Sequence, residues 1–331
     1  MSYSEYPLVN TQVVHPEELQ NLRLIFMGTP RYAIPVLDKL LDCGHEIAAV
    51  YTQPDKPAGR GRKLTPTPVK IHSADLGLQT VEIQRISDKD SSLKQMLSFK
   101  ADAAIVAAYG IMLPSFVIDK FPLGIINLHP SLLPEFRGAS PVATAILQGC
   151  KETGVTIMKI DEGMDTGPIL KQKSVKIGND EKCDALTERL FISGSKLLVE
   201  TLNEMQTGGI EPIPQDGSKA TLTERLKRQD GEIDWEQSSE QIYRAIKAFH
   251  PWPGTFTKFN GQRLKILDAT MDDKGQEHLD PGKVKTNNGV RVGTAKGSIS
   301  LLTIQLEGKL PTNASDFASF TPNLDGSILG N

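Results

Sequence analysis

Leu22-Arg23-Leu24-Ile25-Phe26-Met27-Gly28-Thr29-Pro30 decides the architecture. A short apolar run closed by a Gly-Thr-Pro turn is the pattern of a buried strand. Just downstream, Ala33, Val36, Leu37, Leu40 and Leu41 recur at helical spacing, and the pattern stops at Cys43-Gly44. Residues 47–51 are apolar again. Strand, helix and strand in this order predict a βαβ unit and therefore a parallel sheet.

The same grammar extends along the chain. Apolar runs at 103–108 and 124–129 predict two more strands, and 154–160 and 169–175 predict a pair around a loop rich in Gly and Asp. Helical spacing recurs near 93–99, 142–147 and 184–205. The expected fold class is α/β, a Rossmann-like, open, mostly parallel sheet with helices on both faces. Thr207-Gly208-Gly209, Pro212 and Pro214 then break the pattern. Beyond them, a helix at 239–249 and short strands at 256–259, 263–268, 289–294 and 298–302 predict a smaller β-barrel-like, OB-like domain. The expected division is an N-terminal extension (1–21), a catalytic domain (22–207), a linker (208–226) and a C-terminal barrel (227–331).

Composition narrows the function classes. With 39% hydrophobic and 23% charged residues, the 331-residue chain has globular character. A formal charge of -3 does not announce a nucleic-acid binder, so any such contact must come from a local basic patch. Cys43, Cys150 and Cys183 are scattered, with no CxxC pair, which argues against a disulfide framework or a cysteine zinc site and suits a reducing cytoplasm. The six histidines include no HxxxH pair, so no metal ligand set is expected. Residues 1–21 lack a basic start followed by an apolar stretch, and no apolar run approaches the roughly 20 residues that span a bilayer.

Three segments carry candidate chemistry. Asn127 and His129 stand two apart at the end of a predicted strand, so they share a face where open α/β sheets bind ligands. A capping Asn beside a solvent-facing His would read the same way. Asp161-Glu162-Gly163-Met164-Asp165-Thr166-Gly167-Pro168 bends tightly around Asp165. That carboxylate can stand beside His129 and favour the protonated imidazole or fix a bound water, or it can merely shape its own turn. Residues 52–64 mix basic residues, prolines and glycines, which predicts an exposed loop suited to phosphate contact, or simply a solvated charged loop. Neither GxxxxGK[ST] nor GxGxxG is present, which argues against a P-loop nucleotide site and an NAD site.

The motifs FMGTP (26–30), TQPDKPAGRGRK (52–63), NLHPSLLPEFRGASP (127–141), ETGVTIM (152–158), DEGMDTGP (161–168) and HPWPGT (250–255) resemble those of the methionyl-tRNA formyltransferases. The resemblance runs from about Leu22 through the second domain. It implies catalytic roles for Asn127, His129 and Asp165, and a folate-binding segment at Ser131, Leu132, Leu133 and Pro134. Tyr109, Gly110 and Ile111 resemble a wall of the pterin pocket. Arg60, Arg62 and Lys63 fall in the loop that, in this family, wraps the acceptor end of the tRNA, and the second domain resembles the module that contacts tRNA. The implied cosubstrate is 10-formyltetrahydrofolate with no metal. The implied partner is initiator methionyl-tRNA, and the implied setting is a cytoplasmic monomer away from any membrane. Two departures stand out: residues 1–21 precede the family's usual start, and 308–313 lack the extra basic residues often found there. A formyltetrahydrofolate hydrolase, or a formyltransferase acting on a non-tRNA amine, would share the Asn, His and Asp set.

Overall fold

A computed structural model describes residues 20–58, 61, 63–87, 91–271 and 278–330. The predicted extension 1–21 therefore lies almost wholly outside the described residues, as do Arg60 and Arg62. The first stretch forms β1 (Arg23–Gly28), α1 (Ile34–Asp42), β2 (Glu46–Thr52), β3 (Lys56–Ala58), β4 (Lys63–Thr65), α2 (Pro68–Asp75), β5 (Thr80–Glu82), α3 (Ser91–Ser98), β6 (Ala103–Ala107), α4 (Ser115–Ile118) and β7 (Ile125–His129). The middle adds β8 (Arg137–Gly138), α5 (Pro141–Leu147), β9 (Glu152–Lys159), β10 (Ile169–Lys176), α6 (Cys183–Gln206) and β11 (Leu222–Thr223). The remainder is α7 (Ser239–Ala248), β12 (Thr255–Phe259), β13 (Gln262–Met271), β14 (Val284–Lys285), β15 (Val290–Gly293), β16 (Ser298–Leu306), β17 (Thr312–Asn313) and α8 (Ala314–Ser319).

The main sheet has the strand order β10-β9-β7-β6-β1-β2-β5. β1 is parallel to β2 on one side and to β6 on the other, and β6 is parallel to β7. From β1 the chain moves outward through β2 to β5, then returns across β1 to β6 and β7. Right-handed crossovers then place α1 and α2 on one face and α3 and α4 on the other. Alternation along β1 serves both faces. Ile25 and Met27 join a core with Ala49, Tyr51, Met96, Val106 and Val117. Leu24 and Phe26, equally buried, point the opposite way. Each such buried side chain contributes about 1.5–3 kcal/mol.

Compactness divides the chain into two units. One holds the described residues up to His129, with Ile157–Gln172 and Ile192–Gln215; the other holds Pro130–Thr156, Lys173–Phe191 and the chain from Asp216. In the second unit, an antiparallel sheet runs β12-β13-β16-β15-β14, with β17 added beside β16. Among the described residues it is a curled half-barrel, with β12 and β14 at the two ends of the order. Ile242 and Ile246 of α7 fill its concave side against Leu264, Ile266, Val292 and Ile304. A capping box between Ser238 and Gln241 starts that helix.

Parts of the 208–226 stretch pair with strands elsewhere in the chain. Ile213 exchanges both backbone hydrogen bonds with Ile169 at 2.8 Å, and Leu222–Thr223 pairs in parallel with Arg137–Gly138. The roots of the 52–64 loop also pair, as the antiparallel ladder β3–β4.

Candidate active site

The switch point of the main sheet lies between β1 and β6, whose following segments diverge to opposite sides. Thr29, just past β1, donates its hydroxyl to the Tyr109 carbonyl at 2.8 Å. Gln53, just past β2, donates Nε2 to the same carbonyl at 2.9 Å. After β6, Ala108 takes a left-handed φ of 51° and Gly110 one of 75°. The backbone therefore turns sharply over the sheet end. A Cβ on Gly110 would stand 2.4 Å from Gln53 Nε2. The Tyr109 ring points into the core beside Tyr51, and burial raises the pKa of both phenols well above the ordinary tyrosine value. What Tyr109–Gly110 presents toward the switch point is thus main chain, and Ile111 packs half-buried against the same core.

Asn127 and His129 close β7, adjacent to β6. Strand periodicity puts both side chains on one face, and they are only 9% and 4% exposed. Asp165 enters from the loop between β9 and β10, which closes where the Lys159 N–H meets the Pro168 carbonyl at 3.0 Å. Asp161 organises the first half of this loop, accepting from the Gly163 N–H at 3.1 Å and the Thr166 hydroxyl at 2.6 Å. Asp165 itself has φ 54°, a left-handed conformation that Asp tolerates better than most residues. Its Oδ2 stands 3.6 Å from His129 Nδ1. The structure thus brings the three expected residues into one compact unit, with His129 and Asp165 face to face.

One side chain here was not anticipated. Gln215 Nε2 donates to the carbonyls of Asp165 at 2.9 Å and Gly167 at 2.7 Å. Two such bonds contribute about 0.5–1.5 kcal/mol each. Nothing local in the sequence marks Gln215, because its partners lie 50 and 48 residues away.

The segment following His129 is ordered within the other unit. Ser131 is fully buried and donates its hydroxyl to the Glu135 carbonyl at 2.7 Å. Thr156 Oγ1 accepts from the Leu133 N–H at 3.1 Å and donates to the Ser131 carbonyl at 2.7 Å. Leu133 is buried, Leu132 and Pro134 are half-buried, and the Leu133–Pro134 peptide is cis. The Thr221 hydroxyl accepts from the Phe136 N–H, and the Thr223 hydroxyl from the Ser140 N–H. Lys63 sits exposed on β4. Among the described residues, no group of three or more His, Cys, Asp or Glu could hold a metal ion, and no helix is long and apolar enough to cross a membrane.

A formyl transferase domain profile matches residues 22–202, and a formyl transferase C-terminal domain profile matches 225–321. A methionyl-tRNA formyltransferase from Roseiflexus sp. (strain RS-1) is 43% identical over 93% of this chain and 95% of its own length. The chain belongs to the methionyl-tRNA formyltransferase family. Its fold recurs in HypX from Aquifex aeolicus in complex with tetrahydrofolic acid, with a TM-score of 0.64 and 16% identity over 93% of this chain and 49% of that one. It also recurs in the methionyl-tRNA formyltransferase from Clostridium thermocellum, with a TM-score of 0.52 and 20% identity over 76% and 95%. At those identities the two structures speak for the fold. Membership in a formyltransferase family makes the protein an enzyme.

Proposed function

We infer that this enzyme transfers the formyl group of 10-formyltetrahydrofolate to the α-amino group of initiator methionyl-tRNA. The observation that carries the chemistry is the placement of Asn127 and His129 on one strand face with Asp165 beside the imidazole. The amine nitrogen attacks the formyl carbon, a C–N bond forms, and the carbonyl oxygen becomes an oxyanion. Asn127 Nδ2 donates to that oxygen. A protonated His129 donates a second hydrogen bond from Nε2, the nitrogen on the far side of the ring from Asp165. Each donor of this kind contributes about 2.7–4 kcal/mol in the transition state. Asp165 balances the imidazolium charge and helps carry the amine's proton to the departing folate nitrogen, directly or through water. The C–N bond to the folate then breaks, leaving tetrahydrofolate and N-formylmethionyl-tRNA.

On this reading Ser131–Pro134 and the Tyr109–Ile111 backbone hold the folate. The β3–β4 hairpin, with Arg60, Arg62 and Lys63, meets the tRNA phosphates. Residues 22–207 form the catalytic domain, 208–226 the connection and 227–331 the tRNA-binding domain, acting as a monomer in the cytoplasm. The match of the C-terminal profile and the 95% coverage of the Roseiflexus enzyme support tRNA as acceptor over water or a small amine. The test is an assay with 10-formyltetrahydrofolate and charged initiator tRNA. Equal amounts of tetrahydrofolate and N-formylmethionyl-tRNA are expected. Folate consumption without formylated tRNA would point to a hydrolase instead.

A further inference from the structure

We propose that Gln215 is a positioning residue that sets the Asp165 carboxylate for its work on His129. The proposal rests on Asp165 being catalytic. An amide –NH2 has two hydrogens, and Gln215 directs them at two carbonyls of one loop, those of Asp165 and Gly167. The first belongs to the residue with the left-handed φ of 54°, the one whose backbone turns its carboxylate toward His129. Two residues before Gln215, Ile213 is locked to Ile169 by reciprocal backbone bonds, so the root of the clamp is tied to the strand that leaves the loop. Gln215 is half-buried, and Asp216 just beyond it is exposed. The stretch read from sequence as a connection therefore reaches into the catalytic loop.

A side chain that only closed a turn would affect folding and all substrates alike. A positioning role predicts a narrower signature, because displacing a catalytic group by about 1 Å lowers turnover by up to about 100-fold. The experiment measures kcat, both KM values and Tm for Gln215→Met, which keeps the length without a donor, and Gln215→Lys, which restores one. In Gln215→Met, kcat should fall about 10- to 100-fold with both KM values within about threefold of wild type. Gln215→Lys should recover most of that loss. The proposal is overturned if Gln215→Met keeps wild-type kcat, if its KM values rise in step with the loss, or if Gln215→Lys is no better. Should Gln215→Met not fold, Gln215→Glu replaces the donor nitrogen at the same length and carries the same comparison. Asp165→Asn is assayed in parallel. If Asp165→Asn keeps wild-type turnover, the catalytic assignment fails and the positioning role with it. If Asp165→Asn is slow and Gln215→Met is not, only the positioning role fails.

Discussion

His129 Nδ1 and Asp165 Oδ2 are 3.6 Å apart, too far for a good hydrogen bond and close enough for an ion pair once the ring is protonated. Both side chains are well shielded, at 6% and 19% exposure, so their attraction is stronger than it would be in water. This spacing suits a pair that tightens as positive charge develops on the imidazole.

Asp165→Asn keeps the shape and removes the charge. Turnover should fall roughly 10²–10⁴-fold, the range for removing a proton-transfer group. If Asp165 moves the proton as proposed, the lost interaction belongs to the transition state and the KM values for folate and tRNA should stay near wild type. Steady-state kinetics on both substrates checks this. An equal rise in KM would move Asp165 into substrate binding.

Gly167 offers a steric test of the same loop. A Cβ there would lie 1.9 Å from the Lys159 carbonyl oxygen, and a backbone atom cannot swing aside. Gly167→Ala must therefore shift the loop, costing about 1–3 kcal/mol. Thermal unfolding should show a lower Tm, and kcat should fall more than either KM rises. A variant with wild-type Tm and kcat would mean that the loop yields freely.

His45 should give the fold an acid-sensitive component. It is 5% exposed, and its Nδ1 accepts the Leu22 N–H at 3.2 Å, so the folded state holds it neutral. Burial lowers its basicity below the ordinary value of 6.5. Unfolding therefore takes up a proton once the pH drops below that value. This contribution is complete above about pH 6.5 and is lost as the pH falls through the lower folded value. His45→Asn, which can keep an acceptor for Leu22, should flatten the fall in Tm between about pH 7 and pH 5. Identical pH slopes for the variant and wild type would count against it.

The central sheet was legible because its strands are buried on both faces and read as continuous apolar runs. β1, β2, β6 and β7 are apolar runs, and the Asn127–His129 spacing names its own face. α6 was read within one residue at each end from its apolar spacing. By contrast, α2 buries only Val69 and Ser73, and β5 buries only Val81, so neither carries a periodic signal. The Tyr109 ring could not be placed because Ala108 breaks the strand alternation with a positive φ. Gln215 and Thr221 act on distant backbone groups, which no local pattern encodes.

Lys70 ties down the base of the basic hairpin. From α2 its Nζ reaches Asp55 Oδ1 at 2.8 Å, just before β3, and Glu82 Oε1 at 2.6 Å on β5. The hydrogen bond to Asp55, then that to Glu82, raises the ammonium above its ordinary value, so it stays charged throughout the neutral range. Lys70→Met leaves two carboxylates facing each other without their cation, and the hairpin root should splay. The KM for charged tRNA should rise about 3- to 10-fold, while the KM for 10-formyltetrahydrofolate should stay unchanged. Adding Asp55→Asn to Lys70→Met removes the repulsion and should recover part of the loss, a coupling that a double-mutant cycle isolates. Strictly independent effects, or a folate KM that rises instead, would show that this network supports the sheet edge and not the hairpin.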